Sequence, residues 1–523
     1  MLRTEQQMQL KNPDARIVVG AFDRRVRLLN EVATPGKGST TGDSPHYHRF
    51  FWELLNLGGR TVPWLDSPKS GDLWSGRQMI SVVPVDDPDL LLENGCRIHG
   101  QAVWKRPGVA VSKMSDLRPF LYAGEVFDDN VGVLCPEDAT LIPAILCYCE
   151  SAEYAGDIRA IDQAIKVTAA TLAKVAFDAE RWRNVAEERY PDGLPPANSS
   201  DPSQWLFGGH PKGAYGPLQV AVARLVGYRW PRQTGSSFPD CPTLGPDGLE
   251  RNADIDGIVP LMALKGEAGA AERLVALLQD AYASEWSAAK LVNLLTAAEA
   301  ANSSLEDWLL DKFFDQHCVL FYQRPFVWHI WDGRRDGFNV LVNYHRLTAG
   351  NGEGKRLLEK LTHTYLGDWF DLQRRDSAAG VEGADARLAA AAHLKGELEK
   401  ILAGAPPYDL FVRWKPLCEQ AIGWEPDIND GIRLNIRPFM MARPFGARAT
   451  NACILRATPR IKWEKDRGKE PNRPKEDFPW FWGWDEATQD FTGGDTFDGK
   501  RWNDLHYTNK AKGAAREARS RSD

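Results

Sequence analysis

Residues 127–166, FDDNVGVLCPEDATLIPAILCYCESAEYAGDIRAIDQAIK, change their hydrophobic pattern halfway along. Val131–Leu134 is apolar, partly β-branched and bounded by turn residues, which predicts a short strand. Leu141–Tyr148 is a compact apolar run that predicts a helix. Ser151–Lys166 places Ile158, Ile161 and Ile165 at i, i+3 and i+7, leaving Asp157, Arg159 and Lys166 to face outward. A helix over that whole span is expected. A short strand handing over to helices, without a regular strand–helix alternation, points to the α+β class.

Upstream, residues 13–135 read as short strands and turns. Ala15–Phe22 (ARIVVGAF) and Val109–Val111 are expected strands, and Thr34–Pro45 (TPGKGSTTGDSP) is an expected loop. Arg49–Leu55 is apolar and aromatic. Downstream, residues 188–217 are a loop-rich connector, and residues 218–232 are an expected apolar helix ending at Trp230-Pro231. Helical patterning returns from Ala268 to Phe314, with Leu274, Leu277, Leu278 and Tyr282 on one face. Trp308, Leu309, Phe313 and Phe314 form a second apolar group. Gly383–Leu402 is an Ala-rich helix closed by Gly404. The expected organisation is multi-domain: residues 1–190 a mixed strand and helix region, 191–323 a connector with helices, and 324–523 an aromatic and basic α+β domain.

The chain of 523 residues is 43% hydrophobic and 26% charged, which excludes a disordered chain and a collagen-like fibre. No run of about 18 apolar residues is present, so a membrane span is not expected. The opening MLRTEQQMQLKNPDAR has no apolar signal-peptide core, and a cytoplasmic location is the expectation. The eight Cys include one close pair, Cys147 and Cys149, and no CxxC, so neither a zinc ribbon nor a disulfide framework is indicated. The net charge of −7 excludes a uniformly basic nucleic-acid coat but leaves room for a local basic surface. The 19 Trp predict broad aromatic cores.

Enzyme motifs are sparse. There is no GxxxxGK[ST], no GxGxxG and no GxSxG. Gly350–Lys355 (GNGEGK) reads as a surface turn. Pro406-Pro407-Tyr408 is preceded by Ala405, which has no side-chain acceptor to hold a target amine, so it reads as a turn after a helix. His46 and His48, and the isolated His317 and His329, read as satisfied or solvated histidines rather than metal ligands. Pro426-Asp427 with Asp498-Gly499-Lys500 is too loosely spaced for a nuclease magnesium site. No catalytic residue and no metal ligand is therefore assigned. Residues 456–475 hold eight Lys/Arg against three acids, with Lys462, Lys465 and Arg467 around Trp463. The stretch reads as a solvated face, a phosphate contact or a protein contact.

Several segments in order resemble the C-terminal half of the large adenine-N6 DNA methyltransferases of the type IIG restriction-modification class, most of all the methylases of BREX and DISARM phage-defence systems. They are Asn12–Arg16, Thr41-Gly42-Asp43 with Arg49-Phe50 and Phe51-Trp52-Glu53, Trp74-x-Gly76, Arg106–Lys113, Phe127–Asn130, and Ile161–Asp178. Trp205–Phe207, Trp230-Pro231 and Trp328–Trp331 extend the likeness over most of the chain. The resemblance implies a target-recognition part that binds duplex DNA. It implies S-adenosylmethionine as methyl donor, held by a partner or missing catalytic half, because the family's glycine motif and Asn/Asp-Pro-Pro-Tyr motif are not in this sequence. Other defence-system subunits are the further implied partners. It also implies candidate DNA contacts at Thr41, Gly42, Asp43, Arg49, Ser112, Lys113, Lys166, Thr168 and Lys174, with Lys462, Lys465 and Arg467 added from the basic stretch.

Local readings compete with these. Asp43 can be a helix N-cap, Asp162 can pair with Lys166 at i, i+4, and Asp129-Asn130 can be a plain turn. A scaffold protein of a phage-defence complex, built through the aromatic C-terminal half, is the alternative function.

Overall fold

The computed structural model describes residues 7, 27–42, 44–55, 57, 61–68, 71–81, 96–114, 116–349, 352–403, 432, 435–449 and 451–461. The expected strand Ala15–Phe22, the turn at Pro406–Tyr408 and most of the basic stretch lie outside these residues, as do Asp43, Lys462, Lys465 and Arg467. The chain is a mixed α+β structure with several small sheets. It forms two compact units that alternate along the sequence. The first comprises residues 1–47, 58–208 and 234–243; the second comprises 48–57, 209–233 and 244–523.

The strands, in chain order, are β1 (Ala33–Lys37), β2 (His48–Phe50), β3 (Val62–Leu65), β4 (Met79–Ser81), β5 (Gly108–Ser112), β6 (Pro119–Tyr122), β7 (Val126–Phe127), β8 (Val131–Pro136), β9 (Ile258–Pro260), β10 (Val327–Trp331) and β11 (Asn339–Asn343). In the first unit an antiparallel sheet runs β1-β8-β5-β6. The expected strands at Val109–Val111 and Val131–Leu134 are its two central members, and every residue of both is buried. The expected loop Thr34–Pro45 is corrected over its first part, because Ala33–Lys37 is β1. A Gly/Pro-rich strand is possible because β1 is an edge, where proline's missing N–H costs no ladder bond. Glycine at 36 also serves packing, since a Cβ there would stand 2.5 Å from a Val103 methyl carbon. Phe120, Phe127, Val131 and Val133 are fully or almost fully buried in the core of this unit. Burying each such side chain contributes roughly 1.5–3 kcal/mol before entropy is counted.

Helices α1 (Ile142–Glu150) and α2 (Ala152–Ile161) follow the sheet, then α3 (Ala169–Leu172) and α4 (Ala179–Arg189). α1 packs on β5 and β6, and α3 packs on β1 and β8. Ser151 caps α2 by accepting from the Tyr154 N–H at 3.1 Å. The expected helix to Lys166 is corrected here: α2 stops at Ile161. Asp162 takes an extended conformation and its carboxylate accepts the Ala164 N–H at 2.9 Å. That local Asx turn competes with the next helical hydrogen bond and wins.

The first unit also buries an ion pair. Arg77 Nε lies 2.7 Å from Glu125 Oε1, and both side chains are fully buried. Arg77 also donates to the Leu121 carbonyl at 2.9 Å, while Glu125 Oε2 accepts the Ala123 N–H at 3.0 Å.

The second unit is built on the three-stranded sheet β10-β11-β9. The β10–β11 hairpin is closed by Asp332, whose carboxylate accepts the N–H groups of Arg334 and Phe338, each at 2.9 Å. Its helices include α5 (Pro217–Leu225), α6 (Ala270–Tyr282), α7 (Ala288–Ala297), α8 (Leu305–Asp311) and α9 (Phe313–Leu320). The expected face of Leu274, Leu277, Leu278 and Tyr282 is buried, as are Trp308, Leu309, Phe313 and Phe314. The expected helix 218–232 is shorter, ending at Leu225. Further on are α10 (Tyr344–Leu347), α11 (Glu353–Lys360), α12 (Leu366–Ala378) and α13 (Ala384–Ala403), the last being the expected Ala-rich helix. No helix among the described residues is long and apolar enough to cross a membrane.

Candidate nucleic-acid interface

Three segments of the first unit meet at one turn. β5 ends at Ser112, and the Lys113 N–H donates to the Asn130 carbonyl at 2.8 Å. This sets the turn 128–130 on the end of β5. The Asn130 N–H donates to Asp128 Oδ1 at 2.7 Å, which tightens the turn. On its other side the Asp129 N–H donates to the Ser39 carbonyl at 2.9 Å. Residue 38 must be glycine for that approach, because a Cβ there would lie 2.0 Å from the Asp128 carbonyl oxygen. The loop 162–168 supplies the third segment. Met114 and Lys166 form an antiparallel bridge, and the Val167 N–H donates to the Lys113 carbonyl at 3.1 Å.

The backbone thus brings two lysines onto one carboxylate. Lys113 Nζ is 3.2 Å from Asp129 Oδ1, and Lys166 Nζ is 2.9 Å from Asp129 Oδ2. Lys166 Nζ also donates to Asn130 Oδ1 at 2.9 Å. The side chain of Lys113 is 4% exposed, that of Asp129 27% and that of Lys166 39%, so an anion arriving from solvent meets Lys166 first. Burial lowers the Lys113 pKa, Asp129 works against that, and the nearby charges of Lys166 and Lys37 add to the lowering. Burial alone would raise the Asp129 carboxyl. The hydrogen bonds and charges of Lys166 and Lys113 outweigh it and hold the group below the usual range. Two ammonium groups therefore meet on one carboxylate, with the Asp128 carboxyl in the same turn.

Of the candidate contacts, Ser112, Lys113, Lys166 and Thr168 come together here. The Asp162–Lys166 pairing considered above is replaced by Lys166–Asp129 and the Asp162–Ala164 turn. The turn Asp129-Asn130 is not plain, because both side chains hold Lys166. Thr168 is the N-cap of α3: its hydroxyl oxygen accepts the Thr171 N–H at 3.1 Å and bonds the Thr171 hydroxyl at 2.8 Å. Lys174 sits in the turn after α3, half-buried.

Other candidates lie apart. Thr41 is buried, its carbonyl accepts the Cys96 thiol at 3.0 Å, and its hydroxyl oxygen has no hydrogen-bond partner among the described residues. Gly42 is exposed, in a left-handed conformation with φ +76°. Arg49 is a buried strand residue of the second unit, where its guanidinium donates to the His48 carbonyl at 2.7 Å. In the basic stretch Arg456 is engaged internally: it pairs with Asp311 at 3.1 Å and lies 4.5 Å from the Trp331 ring centroid. Lys37 was not singled out from the sequence, and Asn130 was read there only as part of a turn.

The buried histidines of the second unit belong to its core. His317 uses both ring nitrogens, on Gln219 at 3.2 Å and on the Val327 N–H at 3.1 Å. His329 Nε2 bonds Asn339 at 3.0 Å, and His345 Nε2 bonds the Trp52 carbonyl at 2.7 Å. Among the described residues no group of three or more His, Cys, Asp or Glu is placed to hold a metal ion.

No family model matches the chain, and a search of curated proteins finds no match.

Proposed function

We propose that this chain is the target-recognition part of an adenine-N6 DNA methyltransferase of a restriction-modification or phage-defence system. On this reading it is a cytoplasmic, multi-domain protein. It binds duplex DNA for methylation by a catalytic half that these residues do not form. The observation that carries the reading is the turn at Asp129, where Lys113 and Lys166 meet on one carboxylate and the Lys166 ammonium is the more exposed. The lysine nearest solvent can neutralise a DNA phosphate, and Asp129 and Asn130 hold its ammonium in place. The resemblance supports the reading as well, since in the family the segment like Ile161–Asp178 closes the target-recognition region.

On this reading S-adenosylmethionine is held by the catalytic half, because the family's glycine motif and Asn/Asp-Pro-Pro-Tyr motif are not in this sequence.

The test is duplex affinity of the full chain across a salt series, read by fluorescence anisotropy. Binding that falls steeply with salt is expected, and Lys166→Ala is expected to reduce the slope of log K against log salt by about one. An unchanged slope removes Lys166 from the interface. Absence of binding at low salt, alone and with the catalytic partner, overturns the reading in favour of a scaffold.

A further inference from the structure

Residues 431–463 carry six Arg and one Lys and no Asp or Glu. Two of these arginines are engaged internally: Arg437 is buried, and Arg456 pairs with Asp311. Arg443 and Arg448 are exposed, and among the described residues neither meets a carboxylate. Between them in sequence stands Phe445, 48% exposed. Its ring contact among the described residues is with His393, at 5.9 Å and tilted by 58°, so no ring lies flat against it. A single exposed apolar residue is ordinary. An exposed ring between two arginines without carboxylate partners is not.

The backbone explains the exposure. The Ala447 N–H donates to the Pro444 carbonyl at 3.2 Å, so 444–447 is a β-turn with Phe445 at its second position. Gly446 follows at φ +69°, which glycine adopts without steric cost. The Arg443 guanidinium closes the loop by donating to the Ala449 carbonyl at 2.8 Å, which sets it against the backbone next to Arg448. The His393 imidazole bonds the Arg443 carbonyl at 2.8 Å. Beyond the loop, the Ile454 N–H donates to the Ala442 carbonyl and the Trp331 N–H to the Ile454 carbonyl, each at 2.9 Å. A Cβ on Gly333, in the β10–β11 connection, would stand 2.9 Å from Pro444 Cβ, so the turn is seated on that hairpin. Phe445 is thus held at the tip of a braced turn of the second unit.

We infer that the loop Arg443–Ala449 binds an unpaired stretch of DNA, with Phe445 stacked on a base and Arg443 and Arg448 on the flanking phosphates. This goes beyond duplex binding at Asp129 and stands on other residues; the choice of DNA as the nucleic acid rests on the reading above. Two arginines alone would suit an acidic peptide as well. The ring between them decides for a nucleotide strand, which offers a flat π face with a phosphate on either side. In a duplex the base faces cover one another, so a ring at a turn tip meets one only where the strand is unpaired. Every base has such a face, and the contact is tolerant of sequence.

The experiment uses the full chain and a labelled single strand of about 12 nucleotides, read by anisotropy across a salt series. A second strand of the same length lacks its central bases but keeps every phosphate. Wild-type protein is expected to bind the complete strand more tightly. Phe445→Ala is expected to weaken binding to the complete strand by about ten-fold, with the salt slope unchanged, and to leave the abasic strand unaffected. Phe445→Tyr keeps the ring and is expected to bind like the wild type. Arg448→Gln is expected to lower the slope by about 0.7, the value of one phosphate contact on a single strand. An unchanged melting temperature is the folding control. If Phe445→Ala binds the complete strand like the wild type, or weakens both strands equally, the stacking is overturned. If a poly-glutamate peptide displaces the strand as well as unlabelled strand does, the loop is an acidic-protein contact and the inference is overturned. If the wild type binds duplex but no single strand at low salt, the inference falls and the duplex reading stands. If it binds the single strand but no duplex, the inference stands and the Asp129 reading falls.

Discussion

In the first unit a pair of lysines and a carboxylate meet on a turn that solvent reaches, whereas in the second four imidazoles are buried. His48, His317, His329 and His345 are all in the second unit, and burial lowers the pKa of each: to about 3 for the first three and about 4 for His345. The same residue classes serve opposite ends. A cationic group near solvent, such as Lys166, can bind an anion. Titratable groups with most partners inside the core act on stability alone. The comparison teaches that a charge pattern identifies a site only when burial and pairing leave something over for a ligand.

Acid should separate the two units most sharply. An imidazole whose folded pKa lies below its unfolded value of about 6.5 binds protons more readily in the unfolded chain. Its stabilising contribution is complete above pH 6.5 and is lost as pH falls towards 4 and 3, at about 1.4 kcal/mol per pH unit for each group. Asp332 opposes this, because burial raises its carboxyl to about 6, and it gains relative stability as pH falls from 6 towards 4. Four imidazoles outweigh one carboxyl. Hydrogen exchange at pH 7 and pH 4.5 should show β10 and β11 losing protection before β5 and β8. Equal loss in both sheets would break the comparison.

Arg77→Ala should act on the first unit. It strands the buried Glu125 carboxylate and should cost about 3–5 kcal/mol. The loss should appear as reduced exchange protection at β3–β7. Protection unchanged there would mean that the ion pair is not what holds this part of the unit.

Asp129→Asn should have the smallest effect on stability, about 1 kcal/mol, because the group is partly exposed and its pairs are screened. Its effect on binding should be the more useful: removing the internal counter-ion should strengthen duplex binding and steepen its salt dependence. Weaker binding would mean that Asp129 positions the lysines more than it neutralises them.

Much of the core was legible because it depends on local pattern. The β-branched runs at Val109–Val111 and Val131–Leu134 became the central strands of a sheet. The face of Leu274, Leu277 and Leu278 became a buried helix face. Ser151–Lys166 misled because Ile165 continues a helical period by coincidence, while Asp162 two positions before Ala164 ends the helix with its own side chain. The strand at Ala33–Lys37 was hidden by proline and glycine, which an edge position tolerates.

The candidate site was half legible. Lys113, Lys166 and Thr168 were named from the sequence, but Asp129, which joins the first two, was read as part of a turn. That junction spans 37 residues between Asp129 and Lys166, and no local pattern reports it. Arg49 was named for its polarity and is buried in the second unit, among neighbours far along the chain. The adjacent Phe50 stacks on Tyr322 at 5.0 Å, and the Trp52 indole donates to the Arg324 carbonyl at 3.0 Å.

By itself the sequence determined the α+β class, the central strands, the amphipathic helices and the lysines worth testing, because period, propensity and charge are properties of neighbouring residues. Only the tertiary structure decided that residues 48–57 join the second unit, that Lys113 is buried and Lys166 exposed, and that one carboxylate stands between them. Burial and long-range pairing depend on which distant segments share a core, and that is set by the fold as a whole.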